Sequence, residues 1–261
     1  MPQGHGRRKR PTMADKTKIE WCDATWNPVT GCTPCSPGCD HCYARRMLSR
    51  HLPEMGHDED PGTLVFHEDR LDTPEHWRKP RLVFCGSMTD MFQDGMPPNW
   101  QTSVLHTMRS LRGRHHTYIL LTKRPGNARK VFVGLRNGSD TLWPLPNVWL
   151  GVTICTREEL YKREVLRRTP AALRFVSFEP LLGDMGTVNL DGIGWVIVGG
   201  ETGPGARIMR LDWVHRIQDD CRAAGIPFFF KGWGTAMMRK GQPAYTRVDG
   251  LEYHEFPEGR P

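Results

Sequence analysis

The chain has 261 residues, 38% of them apolar, and a formal net charge of +7. That length suits one α/β barrel-sized domain or two small ones, and the apolar share is enough for a sizeable core. No apolar run approaches the ~20 residues of a membrane span, and none follows the basic start as in a secretory leader, so the expectation is a cytoplasmic protein with no membrane contact.

The basic excess favours a polyanionic partner such as nucleic acid, or a phosphate-bearing substrate. More than half of that excess comes from Arg7, Arg8, Lys9 and Arg10. Residues 1–17 therefore read as a basic flexible tail, 18–234 as the folded body and 235–261 as a turn-rich extension wrapped on it.

The first strand candidate is the weak run Ala24–Val29, just before a dense cysteine loop. Tyr43–Leu52 reads as a helix, and Leu52–Pro80 as a long polar connection rich in histidine. A buried strand follows at Arg81–Cys85. Asn99 is placed to cap a helix with Trp100, Val104, Met108 and Leu111 on one face. Thr117–Leu121 is the next strand, Leu135–Pro146 a loop, and Val148–Thr153 a further strand. Glu158–Arg168 is helical and stops before Pro170. Strands Arg174–Phe178 and Trp195–Val198 come next. Asp212 is placed to cap a helix that ends at Gly225, and Pro227 opens the last strand, Pro227–Phe230. Strand and helix alternate throughout, which predicts an α/β fold: a parallel (β/α) barrel or partial barrel of six to seven strands.

Four of the eight cysteines, Cys32, Cys35, Cys39 and Cys42, lie within eleven residues; Cys22, Cys85, Cys155 and Cys221 are scattered. One dense cluster points to metal rather than to a disulfide framework. Three spacings compete: C-x3-C-x2-C from Cys35, C-x6-C-x2-C from Cys32, and all four together. Thiolates suit both iron–sulfur clusters and zinc. A structural zinc site is normally two knuckles a dozen or more residues apart, so the three-residue link here favours a cluster. Zinc and metal-free reactive thiols stay open as alternatives.

In parallel barrels chemistry collects past the C-terminal ends of the strands. Those positions hold Ser87 and Asp90, Lys123 and Arg124, Thr153, Glu179, Glu201 and Lys231. Together they predict a polar pocket, with Asp90, Lys123, Glu179 and Glu201 as candidate catalytic groups. Arg207, Lys123 and Arg124 could meet a phosphate. Gly199 and Gly200 could let the backbone approach a ligand. The histidines at 51, 57, 67, 76, 115 and 116 show no ligand spacing and read as surface residues. Trp21, Trp26 and Trp233 are aromatics near the pocket that could stack on a base, but they read first as core.

The C-x3-C-x2-C run after a first strand, with a helix following, resembles the radical S-adenosylmethionine superfamily. Residues 18–256 more closely resemble an uncharacterised phage and prophage family, through KIEWCDATWNPVTGC, SPGCDHCYA, LLTKRP, FEPLLG, GGETGPGAR and PFFFKGWG. That family is regarded as radical-SAM-like, with cysteines spaced C-x6-C-x2-C. The resemblance implies a [4Fe–4S] cluster on Cys32, Cys39 and Cys42, with Cys35 as a departure from the family pattern. It also implies S-adenosyl-L-methionine as cofactor, a 5′-deoxyadenosyl radical as product of its reductive cleavage, and an electron donor. His41, Ser87, Asp90, Thr153, Gly199 and Gly200 then fall where the cofactor would be met. With the basic charge, the phage resemblance implies a nucleic-acid or nucleotide substrate, for modification or repair. The competing reading is a non-catalytic iron–sulfur or zinc protein that binds a partner or host target.

Overall fold

The computed structural model describes residues 17–57, 60–137, 143–237 and 245–261. The basic-tail reading of residues 1–17 falls, apart from Thr17, outside the described residues.

Seven parallel strands form one sheet in sequential order. They are β1 (Ala24–Trp26), β2 (Leu82–Cys85), β3 (Thr117–Thr122), β4 (Val148–Thr153), β5 (Leu173–Phe178), β6 (Trp195–Gly199) and β7 (Phe228–Gly232). β1 and β7 are the two ends of the order and do not pair, so the sheet is a curled half-barrel, an α/β partial barrel. The registers Trp26↔Cys85, Thr153↔Ser177 and Gly199↔Gly232 bring the strand ends to one rim.

Among the described residues five α-helices accompany the strands: α1 (Tyr43–Arg50), α2 (Pro98–Arg109), α3 (Pro125–Asn137), α4 (Tyr161–Arg167) and α5 (Leu211–Ala224). Val104 and Met108 of α2, Phe132 of α3, Leu166 of α4 and Ile217 of α5 share one core with the sheet's outward residues. The period-2 alternation of the strands separates that core from an inner one. Leu82, Phe84, Ile119, Trp149, Phe175, Trp195, Ile197 and Phe229 point inward and pack together with Trp21 and Cys22. Trp21 stands 4.8 Å from Phe84 and 6.5 Å from Trp195, ring to ring, so the inner cluster reaches across the curl from the β2 side to the β6 side.

The chain's last residues manage the open edge. Tyr253 and Glu255 exchange backbone hydrogen bonds with Phe230 and Phe228, which extends pairing beyond β7. Phe256 packs on Trp195 and Phe229, and Arg260 reaches Asp23 just ahead of β1 at 3.2 Å.

Several local expectations are corrected. Asn99 and Asp212 do not cap their helices; the caps lie two residues earlier, at Pro97 and Arg210. Proline is well suited to an early helical position, and Asp212 instead pairs with Arg210 at 3.0 Å. Helix α3 occupies Leu135–Asn137, the start of the expected loop. The Leu52–Pro80 connection contains three short 3-10 turns and the strand Val65–Phe66, which pairs antiparallel with Val29–Thr30. His57, His67 and His116 are buried rather than at the surface. Both His57 and His67 hydrogen-bond the Thr30 hydroxyl through Nε2, at 2.7 and 2.8 Å, pinning the connection to the segment that leads into the cysteines. Burial pushes His67 and His116 down to about 4.

Gly151, inward-facing on β4, leaves room for the Phe175 ring: a Cβ there would stand 2.2 Å from the ring. Gly151→Ala is expected to destabilise the fold by about 1–3 kcal/mol through overpacking, measured as a lower midpoint in urea unfolding.

Candidate metal centre and strand-end cleft

A cleft opens at the C-terminal rim of the half-barrel, the face where barrel sites form. Counting its open mouth, the space measures about 1120 Å³. Cys32, Cys35, Cys39 and Cys42 all line it, as do His41, Ser87, Asp90, Lys123, Thr153, Glu179, Gly200 and Glu201. Gly199 is not among the lining residues. It sits inside the rim, its carbonyl accepting from Leu181 N–H at 2.9 Å. The glycine at 200 is required for packing: a Cβ there would meet the Trp233 carbonyl oxygen at 2.1 Å.

Two arginines hold the cysteine loop. On one side Arg124 donates to the Thr33 carbonyl (2.8 Å) and hydroxyl (2.9 Å). Behind it the buried Asp90 carboxylate accepts from Thr122 (2.7 Å), Lys123 N–H (2.9 Å), Phe92 N–H (3.0 Å) and Arg124 itself (3.4 Å). Gln93 and Thr89 donate to the Gly31 carbonyl at 2.7 and 2.6 Å. On the other side Arg207 donates to the Pro37 carbonyl (2.8 Å) and to Asp40 (3.1 Å). Behind it the buried Glu201 accepts two side-chain bonds and a backbone bond from Arg207, and one contact from His41 Nδ1 at 3.0 Å. Burial works against the Glu201 charge, but the Arg207 and His41 hydrogen bonds outweigh it and hold the carboxyl at about 2. Asp90 and Glu201 are thus committed to the clamps, and Arg207 is spent on the loop rather than left for a phosphate.

Within the loop, a hydrogen bond from the Cys35 thiol, the nearby charge of Lys123 and backbone N–H groups of Cys35 and Ser36 hold Cys39 well below the usual thiol range. Burial pushes Cys32 up to about 11. Cys155, remote in sequence, lies buried directly beneath: a Cβ on Gly38 would be 2.3 Å from its Sγ. Lys123 faces this group. Burial opposes its charge, but Cys155, Cys39, Cys42 and Asp90 together raise its pKa. Behind Cys155 the buried pair Glu159–Lys162 (2.7 Å) takes the Cys155 N–H and donates to the Thr153 carbonyl.

Deeper in the cleft, Glu179 and Lys231 form an ion pair. Ser87 pairs with the Asn27 amide at 2.9 Å, and its carbonyl accepts from Tyr43 OH, also at 2.9 Å. Sequence reasoning missed Cys155, Ser177 and the loop anchors Thr89 and Gln93. Only Ser177 carried a signal, two residues past the inward Phe175 in strict alternation.

As a donor set, soft thiols on one braced loop beside a cationic lysine fit a multi-iron cluster. Among the described residues no three His, Cys, Asp or Glu side chains are grouped so that they could hold a metal ion.

Fold and cleft define an α/β half-barrel protein whose strand-end cleft is walled on one side by a cysteine loop. The chain belongs to the family described as protein of unknown function (DUF5131), which matches residues 16–257. That span coincides with the stretch whose motifs carry the resemblance. No curated protein and no solved structure matches the chain.

The Glu201 clamp has a pH signature. A carboxyl held at about 2 contributes stability that is complete above the ordinary Glu range near ~4.3 and is lost as the pH falls toward 2. Glu201→Gln is expected to cost about 1–3 kcal/mol at neutral pH, discounted because Arg207 is partly exposed, and to flatten the acid limb of a melting-temperature profile.

Proposed function

We propose that this chain is a radical S-adenosylmethionine-type iron–sulfur enzyme, working in the cytoplasm of a phage-bearing cell on nucleic acid or a nucleotide. One observation carries the reading: four thiols of a single braced loop face the same cleft as the strand-end residues Ser87, Lys123, Thr153 and Glu179. The phage setting rests on the motif resemblance alone.

Cys32, Cys39 and Cys42 would hold the [4Fe–4S] cluster, with Cys35 as a neighbour to Cys39. When bound, the cluster would supply the one-electron reducing chemistry that reductive cleavage of S-adenosylmethionine requires. The chain's own residues do the rest. Arg124 and Arg207 fix the loop so that the thiols keep their spacing. The Lys123 ammonium offsets the negative charge that thiolate ligation brings into the cleft. Ser87, with Asn27, presents polar groups at the end of β2, and Thr153 does so at the end of β4. A soluble one-electron donor has an approach at the outer face of the loop, where Arg45, Arg46 and Arg50 flank Cys39 and Cys42.

The test is product analysis on protein prepared without oxygen, with S-adenosylmethionine and dithionite. 5′-Deoxyadenosine is expected from the wild type, is abolished by Cys32→Ala, Cys39→Ala or Cys42→Ala, and persists with Cys35→Ala. Iron-loaded protein that makes none would sink the enzyme reading and favour a partner-binding role.

A further inference from the structure

The cleft has a second storey below the cysteine loop. Its walls are Trp21, Phe84 and Leu121, and its polar groups are Ser177, Glu179 and Lys231. Phe84, Leu121, Ser177 and Lys231 belong to the strands themselves, not to the loops beyond them, so this storey lies inside the barrel mouth. Beneath it the inner aromatic cluster of Trp149, Phe175 and Trp195 forms a floor.

Two polar atoms here lack partners. The Ser177 hydroxyl is fully buried and makes no hydrogen bond. It points into the barrel mouth, because β5 alternates and Phe175, two residues earlier, belongs to the inner cluster. The Trp21 indole N–H, on a side chain that also lines the cleft, is likewise buried without a partner. A buried donor left unsatisfied is costly, so two on side chains that line one cavity call for a partner that the protein itself does not supply.

The fixed charges constrain the ligand. Lys231 and Glu179 neutralise each other, so the storey suits a neutral group and would not hold a phosphate dianion. Phe84 and Leu121 offer an apolar wall against which a planar ring can lie. Trp21, Ser177 and Lys231 supply donors for ring carbonyl oxygens, and Glu179 supplies an acceptor for a ring N–H. Lys123 stands nearer the cysteine loop, where a phosphate would be met.

We infer that this lower storey is the substrate seat and that it takes a nucleobase-type cyclic amide, a planar ring carrying both carbonyl and N–H groups. This deepens the proposed nucleotide reading. It rests on that reading for the reaction but not for the binding, which the metal-free protein should show.

The experiment is tryptophan-fluorescence titration and thermal shift of the metal-free and cluster-loaded protein with uridine, thymidine, cytidine, adenosine and guanosine. Ring-amide nucleosides are expected to bind and to raise the melting temperature. Ser177→Ala and Trp21→Phe should each weaken binding about tenfold. Ser177→Ala should leave the melting temperature of the free protein unchanged or higher, since it removes an unsatisfied buried hydroxyl. A hydroxyl that served only the fold would give a lower melting temperature and unchanged affinity. If no nucleoside binds, or if both variants bind as the wild type does, the inference falls, while S-adenosylmethionine cleavage would still stand. If nucleosides bind and the cofactor is not cleaved, the inference stands and the radical reading falls.

Discussion

Asp90 and Glu201 each bury a carboxylate behind an arginine, and the two arginines grip the cysteine loop from opposite sides. Arg124 holds Thr33 near its start, and Arg207 holds Pro37 and Asp40 in its middle. The loop's own bonding centres on one 3-10 turn, Pro37–Cys39, capped by the Ser36 hydroxyl, which ties its second half together and leaves its start to outside partners. Its shape is imposed by strand ends that the sheet has already positioned. A charged donor fixed by a buried carboxylate makes a stiffer brace than a neutral one, because releasing either partner would strand a charge in low dielectric. The spacing of the thiols therefore depends on β2, β3 and β6 finishing at one rim.

The half-barrel makes that rim a cleft and not a flat edge. Inward residues fill the bottom with aromatic rings, and Gly151 gives Phe175 the space to complete the floor. Above it the inward positions turn polar: Thr153, Ser177 and Lys231 follow Trp149, Phe175 and Phe229 in strand alternation. One sequence rule, period two along each strand, thus builds both the seal and the polar layer above it. The C-terminal residues complete the arrangement below, covering the β7 edge and reaching Asp23 across the gap.

The six strong strands were legible because each is a short β-branched or aromatic run bounded by turn residues. The rim residues followed from where those runs stop. Helix α3 was hidden by Pro125-Gly126, which reads as a breaker although proline is at home in the first turn; Ala128, Val131, Phe132 and Leu135 still carry its apolar face. The clamps were not legible. Arg207 and Asp40 are 167 positions apart, Arg124 and Thr33 are 91 apart, and no local pattern announces such pairs. For the same reason His57 and His67 looked like surface histidines until the long connection folded over Thr30. Cys155 looked stray until β4 placed it under Gly38.

The central claim is that the cysteine loop carries an iron–sulfur cluster, and metal analysis tests it most directly. Protein purified without oxygen should contain about four irons with matching sulfide, and show a broad thiolate-to-iron absorbance that bleaches with dithionite. One zinc per chain with neither iron nor sulfide would contradict the account and make the loop a structural site.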